Sequence, residues 1–410
     1  MLLKKLSLTH YIFLGMLSGA IAGWLIGEPV TVIANPLAEI FLRLLRMAIM
    51  PLIITSIISG VVSVGNASGL GRLGIKTFGY YVFSSLSAII TGLILVNLFQ
   101  PGVNAQIGLE ESPEEIAVVE QGLQDLLLRI IPENPFQALT EGDVLPVIFF
   151  CILFGFFITR LPVKAKNQLS TFFKSAFDAM MKLTQFVVWS APLGVFGIIA
   201  RIVARTGFEA FTALGFYFLV VLAGLAIHGL INLVLITRFL GQVNPVHHYK
   251  GMPSALLTAF STCSSMVTLP LTMKAVIEHT GVSRKIASFT LPIGATVNMD
   301  GTALYECVAT IFIAQVYGIE LGVGEQVIVV ISALLASIGA ASVPMSGLVM
   351  MSIILGAVGL PLEGVGIILA VDRVLDMFRT TINVLSDSVG AVVVARLEAE
   401  KLHPAQSSSE

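Results

Sequence analysis

Charge is what this sequence has least of. Asp, Glu, Lys and Arg make up 12% of its 410 residues, about half the share usual in soluble domains. The net charge is -2, which offers no basic surface for nucleic acid, and no such partner is expected. Cysteine is scarce as well. Cys151, Cys263 and Cys307 are odd in number and widely spaced, which excludes a disulfide framework and a cysteine metal site. The six histidines are scattered, and no metal site is read from them. What fills the chain is apolar residue, 56% of it, in recurring runs of about 20 residues, the mark of an all-α polytopic membrane protein.

The start, "MLLKKLSLTHYIFLGMLSGAIAG", resembles a signal peptide. So many apolar runs follow that a retained first span is the better reading. Lys4 and Lys5 then place the N-terminus in the cytoplasm. Spans are expected at 9–27, 36–64, 76–99, 144–161, 164–206 and 209–241. Residues 102–143 carry nine acidic residues and one basic residue, Arg129, which suits a polar loop on the outer side.

The last 165 residues differ. The regions 251–278 and 325–358 are apolar but are interrupted by "TAFSTCSSMVT" and "ASIGAASVPMSG". A lipid-facing helix cannot leave such backbone unpaired, so each reads as a re-entrant hairpin. Each is followed by a span with a polar centre, 286–317 and 363–395. Paired interruptions in two halves suggest an inverted repeat with a binding site between them.

The last polar centre is "VDRVLDMFRTTINVLSDS", residues 371–388. On a helix with Asp372 at zero, Asp376, Arg379, Thr380, Asn383 and Asp387 fall at about 40, -20, 80, 20 and 60°. One charge at the bilayer centre costs at least about 2.5 kcal/mol, so this stripe must meet other charges, a ligand or water. A salt-bridge network between helices is one solution. A stripe facing a watery cavity is the other, and it is the expectation here. Arg379 offers a planar fork to a carboxylate, and Asp376, one turn away, suits an ammonium. Together they describe a ligand with both charges, such as an amino acid, with Thr380 and Asn383 adding neutral hydrogen bonds. Arg373, at the edge of the arc, serves equally as an ion-pair partner of Asp376 or Asp372.

In "GATVNMDGT", Asn298 and Asp300 are two apart, so a regular helix would separate them. Pro292, Gly294 and Gly301 permit unwinding that gathers carbonyls, an amide oxygen and a carboxylate, hard donors for a small hard cation. Asp387 is placed to join them. Tyr81, Ser84 and Ser85 lie within a turn of each other in the third span. Glu306 has no basic residue near it in its span, and a lone carboxyl there is either a permanently neutral acid or a proton carrier.

The stretches "TLPIGATVNMDGTALYE" (290–306), "ASIGAASVP" (336–344) and 371–388 together resemble the signatures of the glutamate transporter family, the dicarboxylate/amino acid:cation symporters. The likeness extends over nearly the whole chain, including "RLLRMAIMPLI" and "NPFQALTEGDVLPVIFF". It implies eight transmembrane helices plus two re-entrant helical hairpins, assembled as a homotrimer in the cytoplasmic membrane with both termini inside. Residues 1–75 and 144–208 would form a scaffold. Residues 76–100 and 209–400 would form a mobile transport domain, with hairpin one at 245–278 and hairpin two at 325–358; 401–410 would be a cytoplasmic tail. The substrate implied is L-aspartate or L-glutamate. Asp376 would take its amino group and Arg379 its side-chain carboxylate. Thr302, Thr380, Asn383 and backbone at Ser265, Val343 and Gly347 would complete the pocket. Sodium would bind at Gly294, Asn298, Asn383 and Asp387; at Tyr81, Ser84, Ser85, Asn298 and Asp300; and at carbonyls of Thr296, Met299, Ser337, Ile338 and Ala340.

This sequence departs from the family at Cys263 and Met377, where archaeal and animal members respectively carry an arginine, and Arg373 is positioned to compensate. Glu306 matches the animal members, which implies proton cotransport and potassium counter-transport. The hairpin-two tip "VPMSG" differs from the commoner "VPGAG". The rival readings are a sodium-coupled transporter of C4-dicarboxylates or neutral amino acids, a channel, and an intramembrane aspartyl protease using Asp300 and Asp376.

Overall fold

The structure is a computed structural model. It describes residues 8–66, 71–103, 105, 131–141, 144–206, 210–339, 346–362, 364–400 and 402. Every regular element among them is helical. Three helices are long and apolar enough to cross a membrane, Arg72–Phe99, Thr212–Phe239 and Val371–Leu397, and four further apolar helices are shorter. The all-α membrane reading therefore holds.

The first five helices of one packing group are α1 (Leu8–Ile26), α2 (Thr31–Asn66) and, after α3 (Gly71–Phe99) and α4 (Pro135–Glu141), α5 (Val144–Arg160), α6 (Val163–Trp189) and α7 (Ala191–Thr206). Within this group α1 lies along α7, and α2 packs against α5, α6 and α7, while α4 adjoins α5. Gly15, Gly19 and Gly23 set the closeness of α1 to α7. A Cβ on any of them would come within 2.7 Å of the backbone oxygens of Pro192, Phe196 or Ala200. This is the small-residue stripe by which helices approach each other where no hydrophobic force separates them from lipid. The expected single helix over 164–206 is corrected here. It breaks at Ser190, because Pro192 cannot donate to the ladder and clashes with the preceding turn; Leu193 and Gly194 donate to the Ser190 carbonyl instead.

The other group contains α3, α8 (Ala210–Ile227), α9 (Leu233–Phe239), α10 (Pro245–Lys250), α11 (Pro253–Thr262), α12 (Ser265–Glu278), α13 (Arg284–Val297), α14 (Asp300–Val316), α15 (Val323–Gly339), α16 (Ser346–Ala357) and α17 (Gly364–Leu397). A π-turn, His228–Asn232, joins α8 to α9. The helices break where the sequence is interrupted. Helices α11 and α12 pack on each other and are joined by a turn at Cys263 in a left-handed conformation, with Ser264 capping α12. Helices α15 and α16 also pack on each other; residues 340–345 between them, including Ala340 and Val343, lie outside the described residues. The seventh span is broken at Asn298 and Met299, whose backbones are not helical. Helix α17 threads this group, touching α3, α8, α11, α12, α13 and α14. At the far end of α17, Glu398 is bound by Arg72 at 3.1 Å and by Lys76 at 2.7 Å. Hydrogen bonds from Arg72 and then Lys76 hold its carboxyl well below the usual carboxylate range. Most of the outer acidic loop, 106–130, lies outside the described residues.

Candidate functional site

The polar stripe of α17 is buried along its length. Asp372, Asp376, Arg379, Thr380, Asn383 and Asp387 are 0 to 7% exposed. The hundred-degree arithmetic therefore found the right face. Arg379 lies beside Gly347, and residues 340–345, which precede that glycine, lie outside the described residues. A cavity of about 510 Å³ is lined by Asn97, Gln100, Gln315, Glu320 and Gln326 among others.

At the first end of the stripe, Arg379 Nη2 hydrogen-bonds Asp376 Oδ1 at 3.0 Å and approaches Asp372 Oδ1 at 3.0 Å. Its guanidinium carbon lies 3.8 Å from the Tyr305 ring centroid, a cation–π contact strengthened by burial. Arg373 contacts the other Asp376 oxygen at 3.5 Å. The two charges expected to hold a ligand are thus paired with each other. Arg379 Nε and Nη1 have no hydrogen-bond partner among the described residues. Gly347 of the second hairpin closes on them: a Cβ there would sit 2.6 Å from Arg379 Nη1 and 3.5 Å from the Thr302 methyl. Ser265 is buried at the start of α12. The structure thus gathers Asp376, Arg379, Thr302 and Gly347, and Asn383 joins them. Its Oδ1 accepts from Gly301 N at 2.8 Å and its Nδ2 donates to Thr302 Oγ1 at 3.2 Å. Gly301 itself lies so near α17 that a Cβ would come 2.6 Å from the Arg379 carbonyl oxygen.

At the other end, the break in the seventh span turns Asn298 and Asp300 inward together, both fully buried. Asp300 Oδ1 accepts from Ser85 at 2.7 Å. Its Oδ2 accepts from Ser84 and from Ser386 at 2.6 Å, and lies 3.0 Å from His228 Nε2. Asn298 donates to Asp387 Oδ1 at 2.9 Å, and its own oxygen has no partner among the described residues. Gly294 adjoins both Asp387 and Tyr81: a Cβ would fall 2.6 Å from the carboxylate and 2.7 Å from the phenol oxygen. Tyr81 donates to the Thr290 carbonyl at 2.7 Å. Tyr81, Ser84, Ser85, Gly294, Asn298, Asp300 and Asp387 are therefore one cluster of hard oxygens; Asn383, one turn past Arg379 on α17, binds Gly301, the residue after Asp300. The set named for a third cation is only partly visible. Met299 and Ser337 are buried and Thr296 is exposed; Ile338 is the next-to-last residue of α15, which packs on α13.

Sequence reasoning missed Ser386 and His228. Ser386 falls at about -40° on the same wheel, just outside the arc, yet contacts Asp300, Ser84 and Asn298. His228 was set aside as scattered, but the π-turn shifts the register and aims its ring at Asp300, while Asn232 lies 3.3 Å from its other nitrogen. A lone histidine inside an apolar span was the available signal. Another, His248, is structural: buried between Thr280 and Ser388. Glu306 is fully buried, and neither carboxyl oxygen has a hydrogen-bond partner among the described residues. No group of three or more potential metal-ligating His, Cys, Asp or Glu occurs among them.

The profile described as "Sodium:dicarboxylate symporter family" matches residues 8–397. The chain belongs to this family. The symporter is 35% identical to the "Proton/sodium-glutamate symport protein" of Geobacillus stearothermophilus, over 97% of this chain and 96% of the relative. It is 38% identical to human "Excitatory amino acid transporter 3", over 91% of this chain and 80% of the relative. To the "Proton/glutamate-aspartate symporter" of Escherichia coli it is 34% identical, over 96% and 93%. It is a secondary transporter of the membrane and not an enzyme, which sets aside the protease reading.

Proposed function

We propose that this symporter takes up aspartate or glutamate together with sodium ions. The observation that carries this reading is the nearness along α17 of two buried groups: Asp376 with Arg379, and Asp387 in the oxygen cluster with Asn298, with Asn383 between them in sequence and bonded to Gly301, the residue after Asp300. An acidic amino acid brings an ammonium for Asp376 and a side-chain carboxylate for Arg379, exchanging one internal ion pair for two. Its α-carboxylate falls to the neutral donors Thr302, Thr380 and Asn383 and to the second hairpin. A C4-dicarboxylate would bring no ammonium to Asp376, and a neutral amino acid would bring no side-chain carboxylate to Arg379. The names of the relatives point to the same substrates.

Sodium is the cargo of the oxygen cluster: Tyr81, Ser84, Ser85, Asn298 and Asp300 on one side, Gly294, Asn298, Asn383 and Asp387 on the other. The Asn298 oxygen, which has no hydrogen-bond partner among the described residues, is a candidate ligand there. Glu306, buried without a donor among the described residues, is the candidate for a cotransported proton, in keeping with relatives named as proton symporters.

The buried stripe requires a gate. The second hairpin, whose Gly347 abuts Arg379, is that gate in this reading. The group containing α3 and α8 to α17 then moves as the transport domain against α1, α2 and α5 to α7, within a homotrimer in the cytoplasmic membrane with both termini inside. The test is uptake of labelled L-aspartate into proteoliposomes. An inward sodium gradient is expected to drive accumulation, with uptake at least about tenfold lower in choline. Equal uptake without sodium would sink the reading.

A further inference from the structure

Arg373 is a charge of the cluster that the reading above leaves without a role. Its Nη1 lies 3.5 Å from Asp376 Oδ2, the oxygen that Arg379 does not hold. Arg379 is shared between Asp376 and Asp372. The four groups, two carboxylates and two guanidiniums, sum to zero formal charge. Without Arg373 they sum to minus one.

This pair is not an ordinary surface contact. The Arg373 and Asp376 side chains are 19% and 10% exposed, against 76% and 45% for the i,i+4 pair Arg43–Glu39. Exposed pairs of that kind contribute little, whereas a charge withdrawn from water must be matched. Arg373 also lies close to the tip of the first hairpin. Cys263 at that tip is within electrostatic reach of Asp376, Arg373, Arg379 and Asp372, and Phe260 meets Phe378 of α17 edge-on at 5.2 Å.

We infer that Arg373 is a tethered counter-cation for Asp376, holding the carboxylate that the substrate's ammonium takes and neutralising the cluster whenever substrate is absent. The inference rests on the assignment of Asp376 to the ammonium. Its consequence concerns the return step. Net uptake obliges the protein to reorient without substrate; exchange of internal for external substrate does not. In the substrate-free step Arg373 supplies the positive charge from within the chain, so no internal potassium is needed for it. Asp300, Asp387, Glu306 and His228 contribute the same charge with or without Arg373, so its removal makes the return one negative charge worse.

The test compares the full chain with Arg373→Gln and Arg373→Lys in proteoliposomes. Net L-aspartate uptake and aspartate–aspartate exchange are measured with internal potassium or internal choline. The unaltered protein is expected to give the same ratio of net uptake to exchange in both. Arg373→Gln is expected to lower that ratio in choline by at least ~10-fold. It should also lower the half-saturating aspartate concentration in exchange, because the internal competitor is gone. Arg373→Lys keeps the charge and should keep the ratio within about threefold. A merely structural role would reduce net uptake and exchange together. An unchanged ratio in Arg373→Gln, a ratio lost equally in Arg373→Lys, or an unaltered protein that needs internal potassium overturns the inference. Absence of aspartate exchange in the unaltered protein would instead overturn the acidic amino acid assignment on which it stands.

Discussion

Arg379→Cys is expected to abolish high-affinity uptake of acidic amino acids. Losing one partner of a desolvated, hydrogen-bonded charge pair costs about 2–5 kcal/mol, so the apparent affinity for aspartate should fall at least ~30-fold. Arg379 also holds Asp372 and Asp376 in place. Its removal leaves two carboxylates with one remaining guanidinium, Arg373, and an uncompensated buried charge is itself costly, about 3–5 kcal/mol. Loss of binding and loss of fold must therefore be separated. The double variant Arg379→Cys with Asp372→Asn removes one charge of each sign. It should recover thermal stability relative to Arg379→Cys while still rejecting aspartate. Small neutral amino acids, which do not require the guanidinium, are expected to gain binding in both. Aspartate affinity unchanged in Arg379→Cys would remove Arg379 from the pocket.

Asp300→Asn should act on sodium first. Both oxygens of Asp300 accept, from Ser85 on one side and from Ser84 and Ser386 on the other, with His228 alongside. An amide turns one acceptor into a donor aimed at other donors and removes the negative charge from the cation cluster. Hydrogen bonds to a charged group are worth about 1.5–3 kcal/mol each. Half-saturating sodium for uptake is therefore expected to rise at least ~10-fold, with a smaller change in aspartate affinity at saturating sodium. Ser85→Ala, which removes one neutral donor, should produce a much smaller rise. A sodium dependence unchanged in Asp300→Asn would exclude this carboxylate from the ion site.

What could be read in advance depended on local periodicity. The stripe from Asp372 to Asp387 was legible because one helical face carries it, and burial of all six residues bears that out. The break at Asn298 was legible because two polar residues that must converge stood two apart between Pro292 and Gly301. The hairpin interruptions were legible as small and polar residues inside apolar runs. Long-range pairing was not. Ser386 lies at the margin of the stripe and becomes a partner of Asp300 only because α14 crosses α17 there. His228 reaches Asp300 only through the extra residue of a π-turn, which no periodicity announces. The kink at Ser190 was overlooked because apolar character continues unbroken across Pro192. Nor does the sequence tell which partners two opposite charges one turn apart will find; in the structure Asp376 and Arg379 pair.

The central claim is that substrate and sodium are read by two clusters sharing Asn383, so that each favours the other. Direct binding of L-aspartate to the purified protein tests it, titrated in sodium and in choline and then reversed, with sodium titrated at fixed aspartate. Coupling of about 1–3 kcal/mol corresponds to roughly 5–150-fold, and reciprocity requires the same factor in both directions. Tighter aspartate binding in sodium, an equal effect of aspartate on sodium, and no competition from succinate are the predicted results. Aspartate binding equally tight in choline would contradict the account.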